Sequence, residues 1–234
     1  MRNEILLILS MLVIFSMVLI AYKLFDNAGL IAFTVIATIS ANIEVLILVD
    51  AFGMSMTLGN ILFASTFLVT DILSEVSGKK AANKAVNIGI MTSIFFIIIS
   101  QSWLLYIPNG EDWAAPSIVN IFKTTPRLML SSLVVYAIVQ KFDVFMFHKW
   151  WDFTAKKWGD KRKYLWIRNN GSTLLSQLLN TILFNIFAFA GMYNTKTLIS
   201  IIVSGYVIFI VTSLCDTPFV YLARKIHEGR IATK

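Results

Sequence analysis

Two acidic residues lie one helical turn apart in the apolar stretch FLVTDILSEVSGKKAA, residues 67–82. Asp71 and Glu75 are four positions apart, so a helix would project both carboxylates from one face. A carboxylate can accept forked hydrogen bonds, neutralise a cation or carry a proton. A charge at the centre of a bilayer costs roughly 2.5–3.5 kcal/mol, so residues that carry one usually face a cavity or a partner.

Two further acids lie at a similar depth in other apolar segments. Asp71, Asp143 and Asp216 each precede the basic residues at the end of their segment by about 9–12 Å of helix. Three acids at one level predict a shared acidic cavity that opens toward the cytoplasm. The alternative is separate ion pairs with basic residues at the helix ends, and it stays open for Glu75 and Asp143 because lysines are near both in the sequence.

A stripe of polar side chains follows one helical face of RNNGSTLLSQLLNTILFN, residues 168–185. Carboxamides offer donors and acceptors in one plane, which suits the edge of a heterocyclic base. Such a stripe can also hydrogen-bond neighbouring helices instead. Its members, at spacings of four, four and three, are Asn169, Thr173, Gln177 and Asn180, with Ser172 and Ser176 beside them.

Two other polar residues are candidates for contact with a solute. Arg127 lies near the start of its apolar segment, about 24 Å along the helix from Asp143. It could attract or gate a substrate near the outer surface, or extend its side chain to the interface. Asn42 shares a polar face with Thr34 and Thr38.

The composition is that of an integral membrane protein. The chain has 234 residues, of which 57% are hydrophobic and 14% charged, and its mean hydropathy is +0.75. Apolar runs recur that are long enough to cross roughly 30 Å of hydrocarbon.

We predict an all-α bundle of about seven spans that forms one domain over residues 1–234. The first run lacks a cleavage site and is expected to be a retained helix. The predicted spans are 3–25, 28–50, 58–77, 82–107, 117–147, 167–191 and 196–223.

Basic residues follow the third, fifth and seventh predicted spans, whereas the alternate connections are nearly free of them. By the positive-inside rule, the N-terminus lies outside and the C-terminus in the cytoplasm, with residues 148–166 as a cytoplasmic basic loop of a cell-membrane protein. The net charge of +7 is therefore interpreted as an orientation signal, and direct nucleic-acid binding is not expected.

The residue types present give no basis for a disulfide, a metal site or an ATPase within the chain. A single cysteine, Cys215, excludes an internal disulfide, and two histidines beside basic residues give no metal-ligand pattern. We expect neither metal nor cofactor. The absence of a glycine-rich phosphate loop excludes an ATPase within the chain. A substrate-capture subunit that works with an external ATPase, and a membrane enzyme that uses its carboxylates, remain alternative interpretations.

Three segments resemble motifs of the queuosine precursor transporter family. The first family motif, T-D-x-x-x-E-x-x-G-x-[KR]-x-A, is similar to the segment LVTDILSEVSGKKAANKAV. The second, R-x-x-x-[AS]-S-x-x-[AS]-[YF]-x-x-[AG]-Q-x-x-D-V, is similar to PRLMLSSLVVYAIVQKFDVFMFHKW. The third, S-T-x-x-S-Q-x-x-D-[ST]-x-x-F, is similar to NNGSTLLSQLLNTILFNIFAF. The resemblance spans residues 34–223. By motif position it implicates Asp71, Glu75, Arg127, Gln140, Asp143, Ser176 and Gln177.

The resemblance implies import of a small planar solute, a 7-deazaguanine-type precursor of the tRNA nucleoside queuosine, across the cytoplasmic membrane. The chain departs from the family pattern at Asn180, where Asp is usual, and in an additional N-terminal helix before a core of about 28–223. A neutral Asn180 leads us to expect a preference for an uncharged precursor. The oligomeric state, monomer or homodimer, stays open. The predicted substrate-binding residues are Asp71, Glu75, Gln177, Asn180, Asp216, Arg127, Asp143, Asn42, Ser176 and Gln140.

Overall fold

The computed structural model describes residues 2–123, 125–160 and 162–232. Within these ranges six helices are long and apolar enough to cross a membrane, which confirms the predicted helical membrane bundle. The elements are α1 (Arg2–Glu44), β1 (Leu48–Ala51), β2 (Met54–Thr57), α2 (Gly59–Ser77), α3 (Lys79–Trp103), α4 (Ala115–Lys123), α5 (Pro126–Trp158), α6 (Leu165–Phe189) and α7 (Thr195–Ala232).

Helix α1 contains the first two predicted spans, because it folds back on itself at Asp26. That residue has φ 54° and ψ −141°, outside the helical region. The Asn3 amide near the start of the helix donates to the Asp50 carbonyl, just beyond its end, at 2.9 Å. Near the break, the Ser77 hydroxyl at the far end of α2 donates to Asn27 at 2.9 Å. The two arms of α1 therefore run in opposite directions, and the chain crosses the bundle seven times.

The second predicted span is too long. Its helix ends at Glu44, and Leu48–Ala51 pairs antiparallel with Met54–Thr57. The turn residues Phe52 and Gly53 both have positive φ, 53° and 71°, as a two-residue type I′ hairpin requires. The first strand, LVDA, directly continues the apolar run of the helix, so hydropathy alone did not separate the two.

The fifth predicted span, 117–147, also differs from the structure. Its first part is the separate short helix α4, and α5 begins at Pro126, where a missing N–H costs no helical hydrogen bond. Helix α5 then continues to Trp158 and ends at Gly159, whose φ is 70°. Most of the predicted basic loop 148–166 is therefore helical. A helix is held by its own backbone hydrogen bonds, so it can extend past the apolar segment.

Four helices surround a common interior that positions the candidate residues. Helix α6 packs between α5 and α7, and α2 packs against the same two helices. Helix α2 is buried along most of its length, including the polar residues Thr70, Asp71 and Ser74. The third, fifth, sixth and seventh predicted spans therefore share this interior.

Candidate functional site

The three acids predicted to lie at one level come together in the interior. Asp71 on α2, Asp143 on α5 and Asp216 on α7 expose 0%, 0% and 2% of their surface. Electrostatic interactions join all three pairs of carboxyls. Among the described residues, no group of three or more His, Cys, Asp or Glu side chains is arranged to hold a metal ion. We refer to Asp71, Asp143 and Asp216 as the acid cluster.

Helix α6 supplies polar partners to two members of the acid cluster. The Thr173 hydroxyl donates to Oδ2 of Asp71 at 3.0 Å. The Asn169 amide donates to Oδ1 of Asp216 at 2.7 Å. The polar stripe predicted on this helix therefore faces the acids of α2 and α7.

Several buried polar atoms of this region lack a hydrogen bond of standard geometry within the described part of the chain. They are Oδ1 of Asp71, both carboxyl oxygens of Asp143, Oδ1 of Asn169 and Nε2 of Gln177. An unsatisfied buried polar group costs about 1–3 kcal/mol. The Asp143 carboxyl also interacts with Asp71, Ser172 and Ser176. A polar solute in the interior would therefore compete for these acceptors, while Gln177 offers a donor.

A cavity of about 870 Å³ lies at the end of the bundle that carries the β-hairpin. It reaches the exposed residues Gly53 and Thr197, so it opens to the surface at that end. Its volume falls in the range of small-molecule sites. The side chains of Phe63, Phe184 and Phe209 contribute aromatic surface to its wall, and Asn180 and Asn185 contribute carboxamides.

Of the ten predicted substrate-binding residues, all within the described ranges, Asn180 alone lines this cavity. The Asn180 amide donates to Oε1 of Gln177 at 3.4 Å, and Gln177 is 1% exposed. Thr173, which contacts Asp71, lies about 10 Å from Asn180 along the helix. The polar stripe of α6 therefore runs from the cavity to the acid cluster, and we call it the α6 polar path.

The opposite, basic end of the α6 polar path is closed by an ion pair. The Arg168 guanidinium donates to the Glu75 carboxylate from Nε at 2.9 Å and from Nη2 at 2.7 and 2.8 Å. Its Nη1 donates to the Lys163 carbonyl at 3.0 Å, and its Cζ atom lies 4.3 Å from the Trp151 ring centroid. Arg224 adds a second cation at 3.5 Å from Glu75.

This closure differs from the acidic cavity predicted to open toward the cytoplasm. The cavity lies at the hairpin end, and the acid cluster is enclosed between it and the Glu75–Arg168 pair. Arg168 was missing from the predicted site because it follows a run of basic residues and was counted with the loop. Its position one residue before Asn169, at the head of the polar stripe, is the signal that could have identified it.

Gln140 and Ser176 make hydrogen bonds within the bundle. The Gln140 amide donates to Thr66 at 2.6 Å, and its carbonyl oxygen accepts from Thr70 at 3.2 Å. Gln140 thus links α5 to α2. The Ser176 hydroxyl donates to the Ser172 carbonyl one turn earlier, at 2.8 Å.

The hydrogen-bond partners of Arg127 and Asn42 lie outside the acid cluster. Arg127 donates to the Phe187 and Ala190 carbonyls at the end of α6, at 3.0 and 2.8 Å. Phe187 is about 21 Å along the helix from Thr173, so Arg127 caps the last carbonyls of α6, far from the acid cluster. The Asn42 amide donates to the Thr38 carbonyl of its own helix at 2.8 Å.

A bundle of membrane-length helices with a cavity at one end, a buried row of polar and acidic side chains behind it and an ion pair at the other end has the architecture of a multispan membrane transporter. Residues 57–223 match the family model described as "Putative vitamin uptake transporter". The chain is also 35% identical over 211 residues to the "Probable queuosine precursor transporter" of Bacillus subtilis (strain 168), a match that covers 90% of each chain. The chain therefore belongs to this vitamin uptake transporter family, and the resemblance found in the sequence motifs is confirmed. No solved structure matches it.

Proposed function

We propose that the protein imports a queuosine precursor, a small planar 7-deazaguanine-type base, across the cytoplasmic membrane. The observation that carries the proposal is the α6 polar path, which leads from the 870 Å³ cavity to three buried carboxyls. The relative from Bacillus subtilis supports the choice of substrate.

The side chains along this path suit a planar base with donors and acceptors at its edge. The aromatic rings of the cavity wall offer surfaces on which a flat ring can stack. Asn180 and Gln177 present both carbonyl oxygens and amide groups, which meet either kind of edge atom. Deeper in the bundle, the Asp71 carboxylate can accept a hydrogen bond from a ring or exocyclic N–H.

In this proposal, the structure corresponds to a state that is open to the outside. The basic ends of α5 and α7 support a cytoplasmic location for the Glu75–Arg168 pair, by the positive-inside rule. The cavity at the hairpin end then receives the solute from outside. Release to the cytoplasm requires Arg168 and Glu75 to separate, so this pair acts as the inner gate.

The proposal is tested in cells that cannot synthesise the precursor, by measuring the queuosine content of their tRNA when precursor is supplied. Expression of the protein is expected to restore queuosine. Asp71→Asn, at equal membrane abundance, is expected to abolish restoration, whereas Asp152→Asn, which changes an exposed acid on α5, is the matched control. Failure of the unchanged protein to restore queuosine would contradict the proposed substrate.

A further inference from the structure

A second large concavity, of about 1090 Å³, lies between the second arm of α1 and helix α3. One end is basic and polar, with Lys79, Lys80, Lys84 and Asn87. The rest is apolar, with Val35 and Ile39 on α1 facing Met91 and Phe95 on α3. We call it the α1–α3 groove. It lies outside the acid cluster, the cavity at the hairpin end and the Glu75–Arg168 pair.

The lysines of the α1–α3 groove have no acidic partner among the residues that the structure describes. Helix α3 contains no Asp or Glu. Within the described ranges, Lys79, Lys80 and Lys84 make no salt bridge. Glu75, one turn before Lys79, is paired with Arg168 and Arg224 instead. Lys80 and Lys84 are exposed. The groove therefore carries uncompensated positive charge at one end.

The backbone adds to this positive potential. Helix α3 begins at Lys79, after Gly78, without a side-chain cap and without an acid in its first turn. The first amide groups of a helix point outward and carry partial positive charge, which attracts phosphate. An anionic group beside Lys80 would meet the lysine ammonium groups and the start of the helix together.

The length of the groove matches one leaflet of a bilayer. Lys80, Lys84, Asn87, Met91 and Phe95 recur at three or four residues and so share one face of α3. Lys84 and Phe95 are about 16 Å apart along the helix, close to half of a hydrocarbon core of about 30 Å. Met91 and Phe95 are also exposed, 65% and 63%. A headgroup at Lys80 and Lys84 would thus place an acyl chain along the apolar part.

We propose that the α1–α3 groove binds an anionic phospholipid, with its phosphate at Lys80 and Lys84 and an acyl chain against Met91 and Phe95. Basic pockets between membrane helices are suited to anionic headgroups. The apolar length of the groove distinguishes this occupant from a soluble phosphate, which would use only the basic end. The inference does not depend on which solute the transporter carries.

The test measures binding of phosphatidylglycerol and of phosphatidylcholine to the purified full-length protein in detergent, by native mass spectrometry. The unchanged protein is expected to bind phosphatidylglycerol at least about tenfold more tightly, since each lysine near an anionic headgroup contributes favourably. Lys80→Gln/Lys84→Gln is expected to remove this preference. Lys156→Gln/Lys157→Gln, which makes the same charge change at the end of α5, is expected to retain it.

A third variant tests the apolar part while it leaves the charges in place. Met91→Trp fills the groove and is expected to weaken phosphatidylglycerol binding, and each variant's unfolding temperature without added lipid checks that it is folded. Equal affinity for the two lipids, or equal losses in the two lysine pairs, would overturn the proposal. Glycerol phosphate that competes as well as the whole lipid would show that the acyl chain makes no contribution, and would overturn it too.

Discussion

Arg168 and Glu75 form a two-pronged ion pair in the interior of the bundle, with side chains 0% and 4% exposed. The pair joins α6 to α2 across 93 positions of sequence. Withdrawal of two charges from water costs several kcal/mol per ion, and the attraction between them repays it only when the geometry is good. The Glu75–Arg168 pair closes one end of the α6 polar path, and its burial costs free energy. These two properties suit it to act as a gate.

The first prediction separates the stability of this pair from its role in transport. Glu75→Gln leaves the buried Arg168 without its carboxylate, and we expect a loss of about 3–5 kcal/mol of stability, measured as a lower unfolding temperature in detergent. Glu75→Leu/Arg168→Met removes both charges and is expected to recover most of that stability. Uptake by the double variant is expected to stay well below that of the unchanged protein.

The outcome that contradicts the gate is specific to the double variant. If it is as stable as the unchanged protein and takes up solute at the same rate, then the Glu75–Arg168 pair has no part in transport. If both single and double variants have the stability of the unchanged protein, the pair is not buried as described.

The second prediction concerns the reversal of α1. A Cβ added to Gly29 would lie 2.1 Å from the Ala21 carbonyl oxygen, so any side chain must open the bend. Overpacking of this kind typically costs about 1–3 kcal/mol. Gly29→Ala is expected to lower the unfolding temperature. Gly110→Ala, where an added Cβ meets nothing within 4 Å, is the control, and equal stability of the two variants would contradict the tight hairpin.

The third prediction addresses the choice between charged and neutral solutes. Asn180 lines the cavity, and the family motif usually has Asp at this position. We expect the unchanged protein to prefer a neutral precursor over its aminomethyl form. Asn180→Asp would place an anion in the cavity wall, and we expect it to shift the ratio of the two affinities toward the cation by about tenfold, or about 1.4 kcal/mol.

Competition uptake with the two unlabelled precursors measures this ratio. Asp50→Asn, a change of an exposed hairpin residue, controls for a general effect of charge at this end of the bundle. Equal competition by both precursors in the unchanged protein would contradict the expected preference, and an unchanged ratio in Asn180→Asp would show that Asn180 does not determine it.

The acid cluster could be predicted from the sequence because it depends only on the positions of the acids within their own helices. Asp71, Asp143 and Asp216 interrupt apolar segments at similar distances from basic helix ends, and helices of fixed rise place such residues at one level. The polar face of α6 follows from its spacing for the same reason. Both features require only helix geometry and the cost of charge in a membrane.

The features that were missed depend on long-range packing. Arg168 lies within a basic run, and only the approach of α6 to α2 shows that it is buried against Glu75. The position of the cavity depends on the β-hairpin, whose first strand continues the apolar run of the preceding helix. Gln140 matches a family motif, but its partners Thr66 and Thr70 are about 70 positions away and cannot be read from its neighbours.

The most direct test of the α6 polar path is uptake of a labelled queuosine precursor by the purified protein in proteoliposomes. Gln177 accepts a hydrogen bond from the cavity residue Asn180 and lies one helical turn from Thr173, which donates to Asp71. We predict saturable uptake by the unchanged protein, a loss of at least about tenfold in Gln177→Leu because a buried polar contact is removed, and near-normal uptake in Gln101→Leu, at the far end of α3. Uptake by Gln177→Leu equal to that of the unchanged protein would contradict a route along α6.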